Sequence, residues 1–195
     1  MTENKDYELE HKEFIILGLV SESISGSHAY SINKRIEERG MRNWTNIGKS
    51  SIYRIINDLE KKDLVSSNEE EYDNRKRRIY KITDNGFRIL KEKVYNVLNE
   101  FGGHNDEDFY VAFSMLPLLT LNEQIETISN SIELNKVAKK DLEDMVSQIP
   151  HMPLNVRGLF IHPIKIIQTN IEFLQESLEE IKNGGRIVDP ETFGK

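Results

Sequence analysis

The chain has 195 residues, of which 37% are hydrophobic and 30% charged, with a formal net charge of -7 and no cysteine. The lack of cysteine excludes thiol catalysis, disulfide bridges, cysteine-ligated zinc and iron–sulfur clusters, and it suits a reducing, cytoplasmic compartment. No apolar run approaches the roughly 18 residues that span a bilayer, and the opening MTENKDYELEHKE is too acidic and polar to read as a secretory signal.

In chain order, Phe14, Ile15, Leu17 and Leu19 predict a short apolar helix over 11–20. Ser25-Gly26-Ser27 breaks the pattern, and Ser27 is placed to cap a second helix over 28–39 with Ala29, Ile32 and Ile36 as its buried stripe. Gly40 ends that helix, and the link 41–48 holds the single tryptophan, Trp44. A third helix over 49–61 puts Ile52, Ile55, Ile56 and Leu59 on one side and Ser50, Arg54, Asn57 and Lys61 on the other.

Residues 64–67 read as a strand and 78–83 as its antiparallel partner, with Tyr80 and Ile82 facing inward. The segment 69–76 is expected as the loop between them: three acids, a turn-like Tyr72-Asp73-Asn74, then the first of four consecutive bases. Thr83 or Asp84 caps a fourth helix to about residue 99. Three helices, a hairpin and a fourth helix within 100 residues make the winged helix-turn-helix plan. Phe101-Gly102-Gly103-His104-Asn105 marks a hinge, which divides the chain into domains over 1–103 and 104–195.

The second domain reads as helical throughout. A helix over 106–116 is interrupted by Pro117. A longer one over 122–148 carries Ile125, Ile128 and Ile132, then Leu142, Val146 and Ile149, with Asn135 and Lys139 breaking the apolar stripe. The last helix starts at Val156 or Pro163 and runs to Lys182. In it Phe160, Ile164, Ile167, Ile171, Leu174, Leu178 and Ile181 alternate spacings of four and three, a seam of coiled-coil type. Three sparse helices offer little surface to bury such a seam alone, so it is expected to form a homodimer contact. The alternative is packing on the helix 122–148 within one chain.

Charge is unevenly placed. Residues 1–95 carry 18 basic and 17 acidic side chains, whereas residues 96–195 carry 8 and 16. A near-neutral half with clustered bases binds a polyanion locally, because salt screens the acidic half beyond about 10 Å. Major-groove reading needs small or polar residues at the start of a helix, and Lys49, Ser50, Ser51, Tyr53, Arg54 and Asn57 supply them. Arg75, Lys76, Arg77 and Arg78, at the hairpin tip, are suited to the sugar–phosphate backbone. Tyr53 either reaches phosphate or packs beside Ile56 and Trp44; Trp44 reads as a core or turn aromatic. Glu69-Glu70-Glu71 would repel phosphate, so they are expected on the outward arm of the wing, where they penalise loose binding.

Several ordered elements resemble a transcriptional regulator of the PadR type. Ser27-His28-Ala29-Tyr30 opens the second helix, with Ala29 for the usual glycine, and Trp44 stands in the turn. Ser50-Ser51-Ile52-Tyr53 matches the recognition-helix signature, and Leu59-Glu60-Lys61-Lys62-Asp63-Leu64 matches the helix exit. There Asp63 replaces a glycine, which suggests a slightly different exit. The stretch 75–83 followed by Gly86 resembles the wing. In the second half, Asp108-Phe109-Tyr110-Val111-Ala112 and Val156-Arg157-Gly158 resemble markers of the longer members, including those similar to the virulence activator of enteric bacteria.

The resemblance implies a mainly α fold, with an N-terminal winged helix-turn-helix domain and a C-terminal antiparallel, coiled-coil dimerisation arm. It implies a homodimer that binds double-stranded DNA at an imperfect palindrome. It further implies a ligand-responsive repressor, or an activator as in the virulence-activator relatives, with a small-molecule effector held between wing domain and arm. Each DNA-facing feature alone also describes an ordinary solvated surface, and a protein–protein adaptor without DNA binding is the alternative reading. No enzyme, cofactor or metal is expected. His11, His28, His104, His151 and His162 lack metal-ligand spacing, and no glycine-rich phosphate loop occurs. His104-Asn105-Asp106-Glu107-Asp108 reads as a hinge followed by a capped helix with acids in its first turn.

Overall fold

A computed structural model describes residues 7–72, 75–104, 106–148 and 151–185. These fall into two compact units, one of the described residues up to Lys93 and one of those from Val94 onward.

The first unit contains α1 (His11–Ser21), α2 (Ala29–Glu38), α3 (Lys49–Lys61), β1 (Val65–Tyr72), β2 (Arg75–Ile82) and the start of α4 (Asp84–Glu100). This is the winged helix-turn-helix order read from the sequence. α1 is buried continuously from Glu13 to Val20, which fits a helix apolar on all sides and covered on all sides. Its first turn is closed by reciprocal hydrogen bonds between Glu10 and Glu13, and the buried Glu13 carboxylate meets Lys62 Nζ at 2.6 Å. α2 buries Ala29, Ile32 and Ile36, and α3 buries Ile52, Ile55, Ile56 and Leu59. Both stripes follow the helical spacing of the sequence.

Three local expectations change. Ser27 does not cap α2: His28 holds that position, with extended backbone. The Ser27 backbone pairs instead with Tyr80, by N–H to O bonds of 2.8 and 2.9 Å. A strand edge leaves polar groups unsatisfied, and Ser27 meets that of β2. The second change is in the wing. Glu69, Glu70 and Glu71 are not in a loop; they continue the ladder opposite Arg78, Arg77 and Lys76. Opposite charges directly across an antiparallel pair stabilise it, which carries the hairpin beyond its apolar alternation. Asp73 and Asn74 of the expected turn lie outside the described residues.

The third change is at the exit of α3. Asp63 adopts φ 57°, the left-handed conformation that glycine takes freely. Asp63 N–H then reaches Glu60 O and Leu64 N–H reaches Leu59 O, both at 3.0 Å, the paired closure of a Schellman motif. The exit keeps its usual geometry despite the side chain. Thr83 caps α4 by accepting from Gly86 N at 2.9 Å and donates to Asp63 O at 2.7 Å. A β-carbon on Gly86 would lie 2.0 Å from Leu64 O, so only glycine lets α4 start this close to the α3 exit.

The second unit holds the end of α4, α5 (Phe109–Ser114), a 3₁₀ turn over Leu116–Leu118, α6 (Leu121–Ser147) and α7 (Leu154–Lys182). α5 is shorter than its expected range because Asp106 Oδ1 accepts from Asp108 N at 2.9 Å and holds the chain in a turn there. Thr120 and Glu123 close the start of α6 with a capping box. α6 and α7 run antiparallel, with Ile132 and Lys136 beside Gln175 and Leu178. Pro163 lies inside α7 rather than at its start.

Ile167, Ile171, Leu174, Leu178 and Ile181 are buried within the single chain, whereas Phe160 and Ile164 are half-buried. Ile149 lies outside the described residues. The break in the α6 stripe at Asn135 has a local cause. This fully buried side chain donates to Phe101 O at 2.9 Å and Ser131 O at 2.8 Å, and accepts from Gly103 N at 3.2 Å. Asn170 of α7 donates to Gly103 O at 2.9 Å. The segment read as a hinge is thus held by polar side chains that bond the backbone of Phe101 and Gly103.

Asp63→Gly is expected to raise stability by about 0.5–1 kcal/mol, because relief of left-handed strain exceeds the added freedom of the unfolded chain. Denaturant unfolding checks this; a lower midpoint would show that the Asp63 conformation carries no strain.

Candidate nucleic-acid interface

β2 is paired on both sides. β1 runs along one edge, and Ser27 forms a single rung on the other. The approach to that rung needs Gly26, at φ 101°, where a β-carbon would lie 2.4 Å from Ile79 Cγ2 and 3.0 Å from Tyr80 O. One residue on, His28 Nδ1 lies 2.9 Å from the Arg78 carbonyl oxygen. A carbonyl only accepts, so Nδ1 carries the proton and donates. The Ser27 hydroxyl accepts from Arg35 at 2.5 Å, and Arg35 and Arg39 both reach Glu22. The start of α2 is therefore fastened to the middle of the wing.

This fastening forms a groove of about 700 Å³. His28, Ala29, Tyr30 and Ser31 come from the start of α2, Tyr53 and Asn57 from α3, and Arg77, Arg78 and Tyr80 from β2. The buried α3 stripe turns Tyr53 and Asn57, one helical turn apart, outward together. Tyr30 is 71% exposed and Tyr53 55% exposed, so the rim offers two phenols while Tyr80 is buried beneath. Tyr53 stands on the outer side of α3 rather than in the core. Trp44 is an exposed aromatic in the turn after the 3₁₀ segment Met41–Asn43.

The residues read from the sequence divide into those that share this groove and those that flank it. Tyr53, Asn57, Arg77 and Arg78 share it. Lys49, Ser50 and Ser51 stand at the first turn of α3, exposed or half-buried. Arg54 lies on another side of α3, with Glu10, Lys12, Asp58 and Lys61. Lys76 extends along β2 beyond the groove, and the side chain of Arg75 lies outside the described residues. His28, Tyr30 and Ser31 were not assigned from the sequence. The available signal was Tyr30, a large aromatic placed off the apolar stripe of its helix.

The basic side chains here have acidic neighbours. Lys49 Nζ is 3.3 Å from Glu37 Oε1. The hydrogen bond from Lys49 is the main cause that holds the Glu37 carboxyl below the ordinary carboxylate range, with Asn33 and Arg42 adding to it. That contact is present above the ordinary carboxylate range and is lost as pH falls through the depressed value. Arg78 Nη2 is 3.7 Å from Glu60 Oε1, with its guanidinium 5.9 Å from the Tyr80 ring centre. Lys76 Nζ is 3.3 Å from Glu69 Oε2. Exposed pairs of this kind are weak and readily exchanged for another anion. Among the described residues, no group of three His, Asp or Glu is placed to hold a metal ion, and no helix is long and apolar enough to cross a membrane.

Residues 16–92 match the family model of the transcriptional regulator PadR-like family. No curated protein matches the chain. Similar solved structures include Bacillus subtilis PadR in complex with operator DNA, at 15% identity, covering 88% of this chain and 99% of that one with a TM-score of 0.41. They also include Bacillus subtilis PadR in complex with p-coumaric acid, at 16% identity, 89% and 99% coverage and a TM-score of 0.36. A third is the PadR-like transcriptional regulator BC1756 from Bacillus cereus, at 17% identity, 91% and 99% coverage and a TM-score of 0.38.

Gly26→Ala is expected to cost about 2–4 kcal/mol, from backbone strain together with the clash against Ile79. Thermal unfolding followed by circular dichroism measures it, and an unchanged midpoint would mean that the Ser27–Tyr80 rung tolerates a β-carbon.

Proposed function

We propose, from the match of residues 16–92 to the family model of PadR-like transcriptional regulators, that this chain is a sequence-specific DNA-binding regulator acting as a homodimer. The observation that carries the reading is the convergence of α2, α3 and β2 on one groove. In this reading the first turn of α3 enters the major groove, where Lys49, Ser50, Ser51, Tyr53 and Asn57 meet base edges. Arg54 flanks them. Arg75, Lys76, Arg77 and Arg78 follow the phosphate backbone and set the register of the protein on the duplex. No side chain caps the start of α2, so its backbone N–H groups and the Tyr30 hydroxyl are suited to phosphate beside the wing.

DNA binding is assigned to residues 1–103 and dimerisation to 104–195. Much of the α7 seam is buried within one chain, so the dimer contact is assigned to the part that is not. Phe160 and Ile164 are half-buried, and Leu154 and Leu159 nearby are 76% and 71% exposed. An apolar surface of this kind supports association with a second copy, and a two-fold dimer suits the half-sites of an imperfect palindrome. Repression relieved by a small-molecule effector, in the cytoplasm, completes the reading on family grounds alone.

A mobility-shift titration against DNA selected from random sequence tests the reading. Arg77→Ala with Arg78→Ala is expected to weaken all sequences about equally and to lower the salt slope by about two, whereas Ser51→Ala or Asn57→Ala changes the preferred bases by about 1–3 kcal/mol. No selected sequence, or a wing variant that binds unchanged, would remove the assignment. Leu154→Glu with Leu159→Glu is expected to yield monomers by sedimentation; a persistent dimer would exclude the start of α7 from the interface.

A further inference from the structure

The densest run of positive charge in the chain, Arg75 to Arg78, lies beside three acids. β1 sets Glu69, Glu70 and Glu71 opposite Arg78, Arg77 and Lys76, one for one. All six residues are exposed, and Lys76 Nζ lies 3.3 Å from Glu69 Oε2. Strand alternation puts Glu70 and Arg77 on one face and the other four on the opposite face. Lys76, Arg77 and Arg78 therefore each stand opposite an acid, whereas Arg75 stands opposite Tyr72.

We propose that Glu69, Glu70 and Glu71 act as a built-in competitor for phosphate, whose carboxylates occupy the bases of the wing when DNA is absent. The inference rests on the DNA-binding reading above. A base that leaves a carboxylate for a phosphate exchanges one anion for another, so the net Coulomb gain is small at an exposed site. The released carboxylates then stand within a screening length of the DNA, where they repel it. They also attract cations, which offsets part of the counterion release that drives phosphate binding. The acids thus hold down the affinity of the wing for DNA of any sequence and flatten its salt dependence. They act through charge, so an amide of the same shape removes the effect while preserving the strand.

The test measures binding to a random-sequence duplex by fluorescence anisotropy over a range of salt. It compares wild type, Glu70→Gln, and the triple variant Glu69→Gln, Glu70→Gln, Glu71→Gln. A control triple variant, Glu172→Gln, Glu176→Gln, Glu180→Gln, changes net charge equally at exposed positions of α7. The wing triple variant is expected to bind about tenfold tighter at low salt, with a salt slope steeper by about one. Glu70→Gln alone should move both readouts in the same direction by less, and circular dichroism should show both variants folded. Unchanged affinity and slope in the single and triple wing variants would overturn the inference while leaving the DNA-binding reading intact. An equal rise in the control would also overturn it, since net charge alone would then suffice. Failure of every variant, wild type included, to bind any DNA would overturn the DNA-binding reading, and this inference with it.

Discussion

Two hydrogen bonds between the backbones of Ser27 and Tyr80 tie the start of α2 to the middle of β2. Through them the wing gains a second paired edge, and the helix start gains a fixed distance from Arg77 and Arg78. α3 is positioned independently, by its buried isoleucines and Leu59. The groove exists because these two constraints meet: apolar burial orients Tyr53 and Asn57, and edge pairing brings the wing to them. Gly26 is part of the same constraint, since a side chain there would occupy the space of Ile79.

Ion pairs in the first unit are of two physical kinds. Glu13 with Lys62, and Glu22 with Arg35 and Arg39, involve carboxylates largely withdrawn from water. Their partners cannot be removed without leaving a desolvated charge, so these pairs belong to the fold. Lys49 with Glu37 and Lys76 with Glu69 are solvated. They hold little energy and can change partner without disturbing the helices or the ladder. Burial separates a structural salt bridge from an exchangeable one, and these two exchangeable pairs lie at the start of α3 and on the wing.

In the second unit a polar residue in an apolar stripe performs a similar structural task. Asn135 interrupts the α6 pattern, yet its amide is shared among Phe101 O, Ser131 O and Gly103 N. Ser131 donates to Leu98 O, and Asn170 adds the bond to Gly103 O. A chain leaving a helix must place its last carbonyls somewhere, and these side chains receive them. Of the two glycines in sequence, Gly103 is held at both its N–H and its carbonyl by these amides.

What the sequence determined by itself is what depends on neighbours along the chain. Helical spacing gave α2, α3 and most of α7 their buried faces, and the turn from helices to hairpin gave the winged helix-turn-helix order; on α6 only Ile128 and Ile132 of the expected stripe are buried, beside Gln124, Thr127, Ser131 and Asn135. Tyr53, Asn57, Arg77 and Arg78 were legible as candidates because their residue types suit nucleic acid. What only the tertiary structure decided depends on partners distant in sequence. The Ser27–Tyr80 rung and the contribution of Tyr30 to the groove join segments tens of residues apart, and the register that sets Glu69 to Glu71 against the wing bases depends on pairing across the hairpin. Ser27 read as a cap because capping is local, and the acids read as a loop because apolar alternation had ended. Both readings yielded to hydrogen bonds and charges supplied across the fold, which no spacing within a single segment encodes.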